Sequence, residues 1–131
     1  MTGPSNILGF FTNIKKYQVT ATTTNATTTN IFSLVTINNT NYTVFVQGTA
    51  YCTTGSANGN GASFTHGNRI TNNSGSVSIS MDIDNHTSVP SVLSEISLII
   101  NTSETNIVIQ VTGLTSQTID WCACVRIINV S

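Results

Sequence analysis

Charged side chains are scarce in this sequence. Among 131 residues there are four Lys or Arg and five Asp or Glu, which gives a formal net charge of −1. A nucleic-acid interface depends on many cationic side chains that neutralise phosphates, and four cannot build such a face. The composition therefore excludes nucleic acid as a partner.

Long apolar runs are also lacking. No apolar stretch approaches the roughly 18 to 20 residues that cross a bilayer, and the apolar patch at residues 7–11 has no basic residue before it. We therefore predict neither a membrane helix nor a signal peptide, and no membrane partner.

Residues that favour strands are abundant instead. The chain has 23 Thr, 15 Ile and 11 Val, all β-branched, and these side chains suit a pleated sheet better than a helix. A hydrophobic content of 39% is too high for a disordered chain. We therefore predict a single all-β domain with a packed core.

Catalytic motifs are missing. The sequence contains no nucleophile elbow, phosphate-binding loop, zinc-protease helix or EF-hand loop. Asp82, Asp84 and His86 alternate along one predicted strand, so they would share a face and could hold a divalent cation. The simpler interpretation is the solvent face of an amphipathic strand. We predict a non-enzymatic protein without cofactor or metal site, with these three residues as the candidates for a cation.

Apolar and β-branched runs recur between turn residues, as is typical of β-sandwiches. Eight strands are enough for two packed sheets, so we predict an antiparallel, jelly-roll-like β-sandwich over residues 17–131 and an N-terminal arm over residues 1–16. The predicted strands are 17–23, 30–37, 42–53, 63–70, 75–84, 92–100, 107–112 and 118–130. In the fifth of these, Val77, Ile79, Met81 and Ile83 would face the core and alternate with polar residues.

Two predicted strands carry apolar residues on both faces, which favours a symmetric oligomer in which a neighbouring subunit covers the second face. The arm carries large apolar side chains that would be an aggregation hazard without a partner. The residues predicted to contribute to oligomer contacts or attachment are Ile7, Leu8, Phe10, Phe11, Val44, Val46, Trp121, Val125 and Ile127.

Three cysteines form an odd set. Cys122 and Cys124 are two apart in a predicted strand, so their side chains point the same way and a mutual disulfide is disfavoured. Small buried or half-buried thiols are the leading interpretation; a bridge from Cys52 to either thiol and metal ligation are the alternatives. The glycine-rich loop at residues 55–61 is either a mobile surface loop or a ligand loop.

Three segments resemble a β-sandwich module of tailed-bacteriophage virion proteins. They are TTTNATTTNIFSL at 22–34, NYTVFVQGTAY at 41–51 and IVIQVTGLTSQTIDWCACVRI at 107–127. The resemblance extends from about residue 17 to residue 131, and the two thiols of the last segment depart from it. Such modules form the trimeric heads of fibres or, when encoded alone, decorate or cement capsids.

The resemblance implies a structural protein on the outer surface of the virion. We expect a homotrimeric capsid decoration or cement protein that contacts the major capsid protein or other virion proteins. The alternative is a fibre-head or tail module that binds a receptor or a host-surface glycan. Trp121 and the loop at residues 55–61 are the features that a glycan-binding module would use.

Overall fold

The computed structural model describes residues 13–131. The predicted arm, with Ile7, Leu8, Phe10 and Phe11, lies outside the described residues except for its last residues. Those belong to the sandwich, because the first strand begins at Ile14. The first strand thus begins three residues before the predicted start at residue 17, and the division into an arm and a sandwich domain stays a prediction.

Over residues 13–131, nine strands form two antiparallel sheets that pack face to face. The strands are β1 (Ile14–Thr23), β2 (Thr28–Val35), β3 (Thr40–Cys52), β4 (Gly61–Asn73), β5 (Ser76–Ile79), β6 (Asp84–Ser88), β7 (Ser97–Ser103), β8 (Asn106–Thr112) and β9 (Ile119–Val130). The larger sheet has the order β1-β9-β3-β4-β5, with β6 also paired to β4, and the smaller sheet has the order β2-β8-β7.

The predicted all-β antiparallel sandwich is confirmed. In the described residues the only helical element is one 3-10 turn, Ser91–Leu93, and no helix there is long and apolar enough to cross a membrane. The jelly-roll detail is not confirmed, because the sheets hold six and three strands and β3 returns as β4 within the same sheet.

Strict alternation explains why β3 and β9 occupy the centre of the larger sheet. In each, every second side chain is buried against the smaller sheet, while those between point outward. The smaller sheet contributes Leu98, Ile107, Ile109 and Val111, which are fully buried. At Gly48 the sheets approach so closely that a Cβ atom would lie 2.5 Å from Leu98 Cδ1.

The predicted strand at residues 75–84 is wrong in its second half. Residues 80–83 oppose only Asn68 and Arg69 of β4, so the edge bulges outward between β5 and β6. The buried Asn68 amide fills the bulge and donates to the Ser80 carbonyl at 3.1 Å and to Asp82 Oδ1 at 2.9 Å. Met81 and Ile83, predicted to face the core, are consequently 89% and 58% exposed.

Candidate binding surface

The outward side of the six-stranded sheet, here called the outer face, is a candidate binding surface. Its central row runs across five strands, and the register places these residues side by side: Lys16 of β1, Arg126 of β9, Phe45 of β3, Gly67 of β4 and Asp84 of β6. Adjacent members of such a row are close enough for their side chains to interact.

Arg126 and Phe45 form the centre of this row. The Arg126 guanidinium carbon lies 4.9 Å from the centroid of the Phe45 ring, a cation–π arrangement. Gly67 makes room for the ring, because a Cβ atom at this position would lie 2.9 Å from Phe45 Cδ1 and Cε1. The Phe45 ring therefore lies flat across β4 and supports the guanidinium.

These residues enclose an open depression of about 350 Å³. Among the described residues, one side-chain contact lies within bridging distance of a carboxylate, His86 Nε2 to Asp84 Oδ1 at 2.9 Å, so neither Lys16 nor Arg126 is bridged to a carboxylate. The depression thus offers two cations, a carboxylate, an aromatic ring, an amide, a hydroxyl and a thiol. Its lining consists of Lys16, Phe45, Gln47, Thr65, Asp84, Cys124 and Arg126.

The residues of β3 and β9 that were predicted from the sequence to form subunit contacts lie inside the sandwich. Their side chains are at most 2% exposed: Val44, Val46, Trp121, Val125 and Ile127. They pack within the chain and leave no surface for a direct contact with a partner. The structure thus corrects the expected role of these five side chains, because the faces open to a partner carry the alternate residues of the same strands.

Lys16, Arg126 and Phe45 were not predicted from the sequence to belong to one site. Their alternation with buried residues shows that they point outward, but their proximity depends on the order of the strands in the sheet. No short stretch of the sequence indicates the order of the strands.

Asp82, Asp84 and His86 do not share a strand face. Asp84 and His86 pair with each other on β6, whereas Asp82 lies in the bulge and accepts hydrogen bonds from Asn68 and from Asn85 Nδ2 at 3.0 Å. Within residues 13–131, no group of three His, Cys, Asp or Glu side chains could hold a metal ion.

The three cysteines are free thiols on two sides of the larger sheet. Cys52 is buried, and its thiol donates to the Thr54 carbonyl at 3.1 Å. Cys122 is half-buried and Cys124 is exposed, both on the outer face. Because the sheet separates Cys52 from the other two, the bridge considered from the sequence does not form.

The glycine-rich loop is held by one buried amide. Gln117 Oε1 accepts from the Ala57 amide at 3.0 Å, and Gln117 Nε2 donates to Ser56 Oγ at 3.2 Å. Ala57 is 1% exposed, so the middle of the loop is anchored in the core. The loop is therefore a structured connection between β3 and β4, and it does not reach the outer-face depression.

The architecture defines the chain as a two-sheet β-sandwich module. No model of a known protein family matches the sequence, and no curated protein matches it significantly. Among solved structures, the chain is similar to part of the Acinetobacter baumannii phage AM24 tailspike protein, with a TM-score of 0.53 and 8% identity; the similarity covers 93% of this chain and 29% of that chain.

Two further tailspikes are similar at lower TM-scores. The Acinetobacter phage vB_ApiP_P1 tailspike protein gives a TM-score of 0.43 at 16% identity, covering 91% of this chain and 21% of that chain. Tailspike protein gp49 of Acinetobacter baumannii phage Fri1, a capsular polysaccharide depolymerase, gives 0.40 at 5% identity, covering 92% and 20%. This chain spans less than a third of the length of each tailspike. The similarity to the AM24 tailspike shows a shared fold. The similarities to the other two tailspikes are too weak to support a conclusion.

Proposed function

We propose that this chain is a non-enzymatic structural module of a tailed-phage particle and lies on the particle's outer surface. The observation that carries the proposal is the fold shared with part of the AM24 tailspike over 93% of the chain. The sequence resemblance to phage β-sandwich modules points the same way and comes from independent features, namely the strand and turn motifs.

The specific role we propose is decoration or cementing of the capsid as a homotrimer, through contacts with the major capsid protein. The outer face suits such contacts, because it is a broad, mostly neutral sheet surface of Thr, Gln and Ser around one aromatic and cationic centre. Contacts of this kind rely on hydrogen bonds and apolar burial, multiplied by the three copies of a trimer. The trimer contacts expected on β3 and β9 cannot use the inward faces of these strands, since those faces pack in the core.

A tail or fibre module that binds a host-surface glycan is the second candidate. Two observations favour it: the likeness to a tailspike fold, and a depression in which Lys16 and Arg126, neither of them paired with a carboxylate, can bind an acidic substituent of a sugar. Trp121 does not take part, because it is 2% exposed.

Cryo-electron microscopy of the assembled particle separates these roles by copy number and place. Hundreds of copies at the symmetry axes of the capsid would support cementing, and a few copies at the tail would support receptor binding. Absence of the chain from purified, infectious particles would overturn the proposal in both forms. Purified protein that depolymerises host capsule would overturn the non-enzymatic part.

A further inference from the structure

Two thiols lie in line on the outer face of β9. Cys122 and Cys124 are two residues apart in this strand, which pairs with β1 on one side and with β3 on the other. Both line one open depression of about 340 Å³ over β1 and β9. Its other lining residues are Lys16, Tyr17, Gln18 and Ala123. The two thiol side chains therefore border the same open space.

The strand holds the two thiols at a fixed spacing. Residues two apart in a strand have Cα atoms about 6.5 to 7 Å apart, longer than the separation of about 5.5 to 6 Å that is typical of a disulfide. Backbone pairing on both sides of β9 resists any contraction of the strand. Cys122 and Cys124 are free thiols, and this geometry keeps them free.

The same spacing suits a metal ion with two ligands. A metal–thiolate bond is about 2.3 Å long, so two sulfurs on opposite sides of one ion lie about 4.6 Å apart. Side chains in strands lean along the strand direction, and two cysteines that lean toward each other can bring their sulfurs to about this separation. The backbone of β9 does not have to move.

The surroundings of the two thiols offer a hydrogen-bond donor and positive charge. Gln18 Nε2 lies 4.0 Å from Cys122 Sγ and donates toward it. Lys16 lines the depression with both thiols, and Arg126 lines the neighbouring depression with Cys124. Among the described residues neither cation is bridged to a carboxylate. A metal ion held by two thiolates has a net negative charge when the ion is monovalent, and the two cations stabilise that charge.

The neighbouring side chains limit which metal fits. Those opposite the two thiols on β1 and β3 are hydroxyls and amides: Thr20, Thr49, Gln18 and Gln47. Asp120 lies on the same face of β9, but its carboxylate accepts a hydrogen bond from Thr22 Oγ1 at 2.9 Å. Across residues 13–131 no group of three His, Cys, Asp or Glu side chains could hold a metal ion. Zinc, which takes four ligands, is therefore disfavoured, whereas the soft ion Cu(I) prefers thiolates and can be held by two.

We propose that Cys122 and Cys124 form a binding site for one soft monovalent metal ion, Cu(I), with two sulfur ligands. Binding forms two metal–sulfur bonds and releases the two thiol protons to solvent, and nothing is oxidised or reduced. Lys16 and Arg126 balance the negative charge of the bound pair. This inference does not depend on which place the module takes on a particle.

A competition titration tests the site on the full chain. Reduced protein is titrated without oxygen against Cu(I) held by a coloured chelator, and the loss of chelate absorbance measures transfer to the protein. We expect one Cu(I) per chain and no uptake of Zn(II) at the same free-metal concentration. X-ray absorption of the Cu(I) protein should show two sulfur neighbours for each ion.

Variants locate the binding. Cys122→Ser and Cys124→Ser each leave one thiol on the outer face, and each should abolish uptake. Cys52→Ser is the matched control, because Cys52 is buried on the other side of the larger sheet; it should take up one ion as the parent does. Brief alkylation of the folded parent, which reaches the outer-face thiols before Cys52, should abolish uptake without any substitution.

A second pair of variants tests the charge. Lys16→Glu should weaken Cu(I) binding several-fold, because it replaces a cation beside the thiols with an anion. Lys15→Glu is its matched control, since Lys15 is the adjacent residue and does not line the depression. It should weaken binding less.

The proposal is overturned if the parent takes up no Cu(I), if either single serine variant on β9 keeps the parent's affinity, or if Zn(II) binds as tightly as Cu(I). Half an ion per chain would show that the metal bridges two copies, and would overturn a site within one chain. A third ligand in the X-ray absorption spectrum would overturn the two-sulfur geometry.

Discussion

The indole N–H of Trp121 donates a hydrogen bond to the hydroxyl of Thr23 at 3.0 Å, and both residues are buried. The bond links β9 to the end of β1, the edge strand of the larger sheet. The indole also packs near Phe64, with ring centroids 6.0 Å apart. The single Trp of the chain is therefore a core residue whose polar atom is satisfied inside the sandwich.

Thr23→Val should lower the free energy of unfolding by about 1 to 3 kcal/mol, because it leaves the Trp121 N–H buried without an acceptor. Urea unfolding followed by Trp fluorescence measures the change. Thr23→Ser keeps the hydroxyl and is the matched control, with a smaller loss.

A double-mutant cycle sharpens this test. Adding Trp121→Phe to Thr23→Val removes both partners, so the combined loss should be smaller than the sum of the two single losses. Strict additivity would show that the bond contributes nothing to stability.

Gly67→Ala should destabilise the fold by about 1 to 3 kcal/mol, because the new methyl group overlaps the Phe45 ring. Thermal unfolding measures the loss. Phe45→Leu in the same chain should recover part of it, since the branched side chain no longer crosses β4. A Gly67→Ala protein as stable as the parent would contradict the close packing described for the central row.

Acid should destabilise the protein through His66. Burial lowers the pKa of His66 below its ordinary value of 6.5, and the opposing effects of Asp82, the Leu98 carbonyl and Asp84 are smaller. The unfolded chain therefore binds a proton at higher pH than the folded chain, so stability is full above about pH 6.5 and falls as the pH decreases from there toward the folded-state pKa. Each unit of difference between the two pKa values corresponds to about 1.4 kcal/mol.

Unfolding midpoints measured between neutral and acidic pH check this dependence. His66→Gln should flatten the curve over that range. A stability that stays constant, or rises, as the pH falls below 6.5 would contradict the burial of a neutral imidazole.

Attachment to the particle should resist salt. Only nine side chains carry charge, and exposed ion pairs contribute about 0 to 1 kcal/mol each. Raising the ionic strength from about 0.1 M to about 1 M shortens the Debye length from about 10 Å to about 3 Å, yet the chain should remain on the particles, whereas urea should remove it. Sedimentation of particles after each treatment measures retention. Release by salt alone would show that Lys16 and Arg126 dominate attachment.

Much of the fold follows from local sequence pattern. The central strands β3 and β9 were predicted to within two residues at each end, because long alternation of apolar and polar side chains specifies a strand with one buried face. The pattern does not say which of two apolar faces is the core. Val44 and Phe45 are both apolar, and only the position of the smaller sheet decides that Val44 is inside.

The bulge and the outer-face depression depend on contacts between distant residues. Asn68 interrupts the strand at residues 80–83 through bonds that no pattern within that segment reveals. The outer-face row needs five strands in one register. These features depend on the order of the strands in the sheets. The sequence determines that order only through the packing of the whole chain, so no short segment indicates it.

The bulge between β5 and β6 also marks a place where the chain can be extended. Residues on both sides keep their backbone bonds to β4, through Ser80 N to the Arg69 carbonyl and Ile83 N to the Gly67 carbonyl. Met81 protrudes between them, almost fully exposed and without a role in the core. A peptide tag or fluorophore inserted after Met81 would be displayed to solvent with no cost in packing.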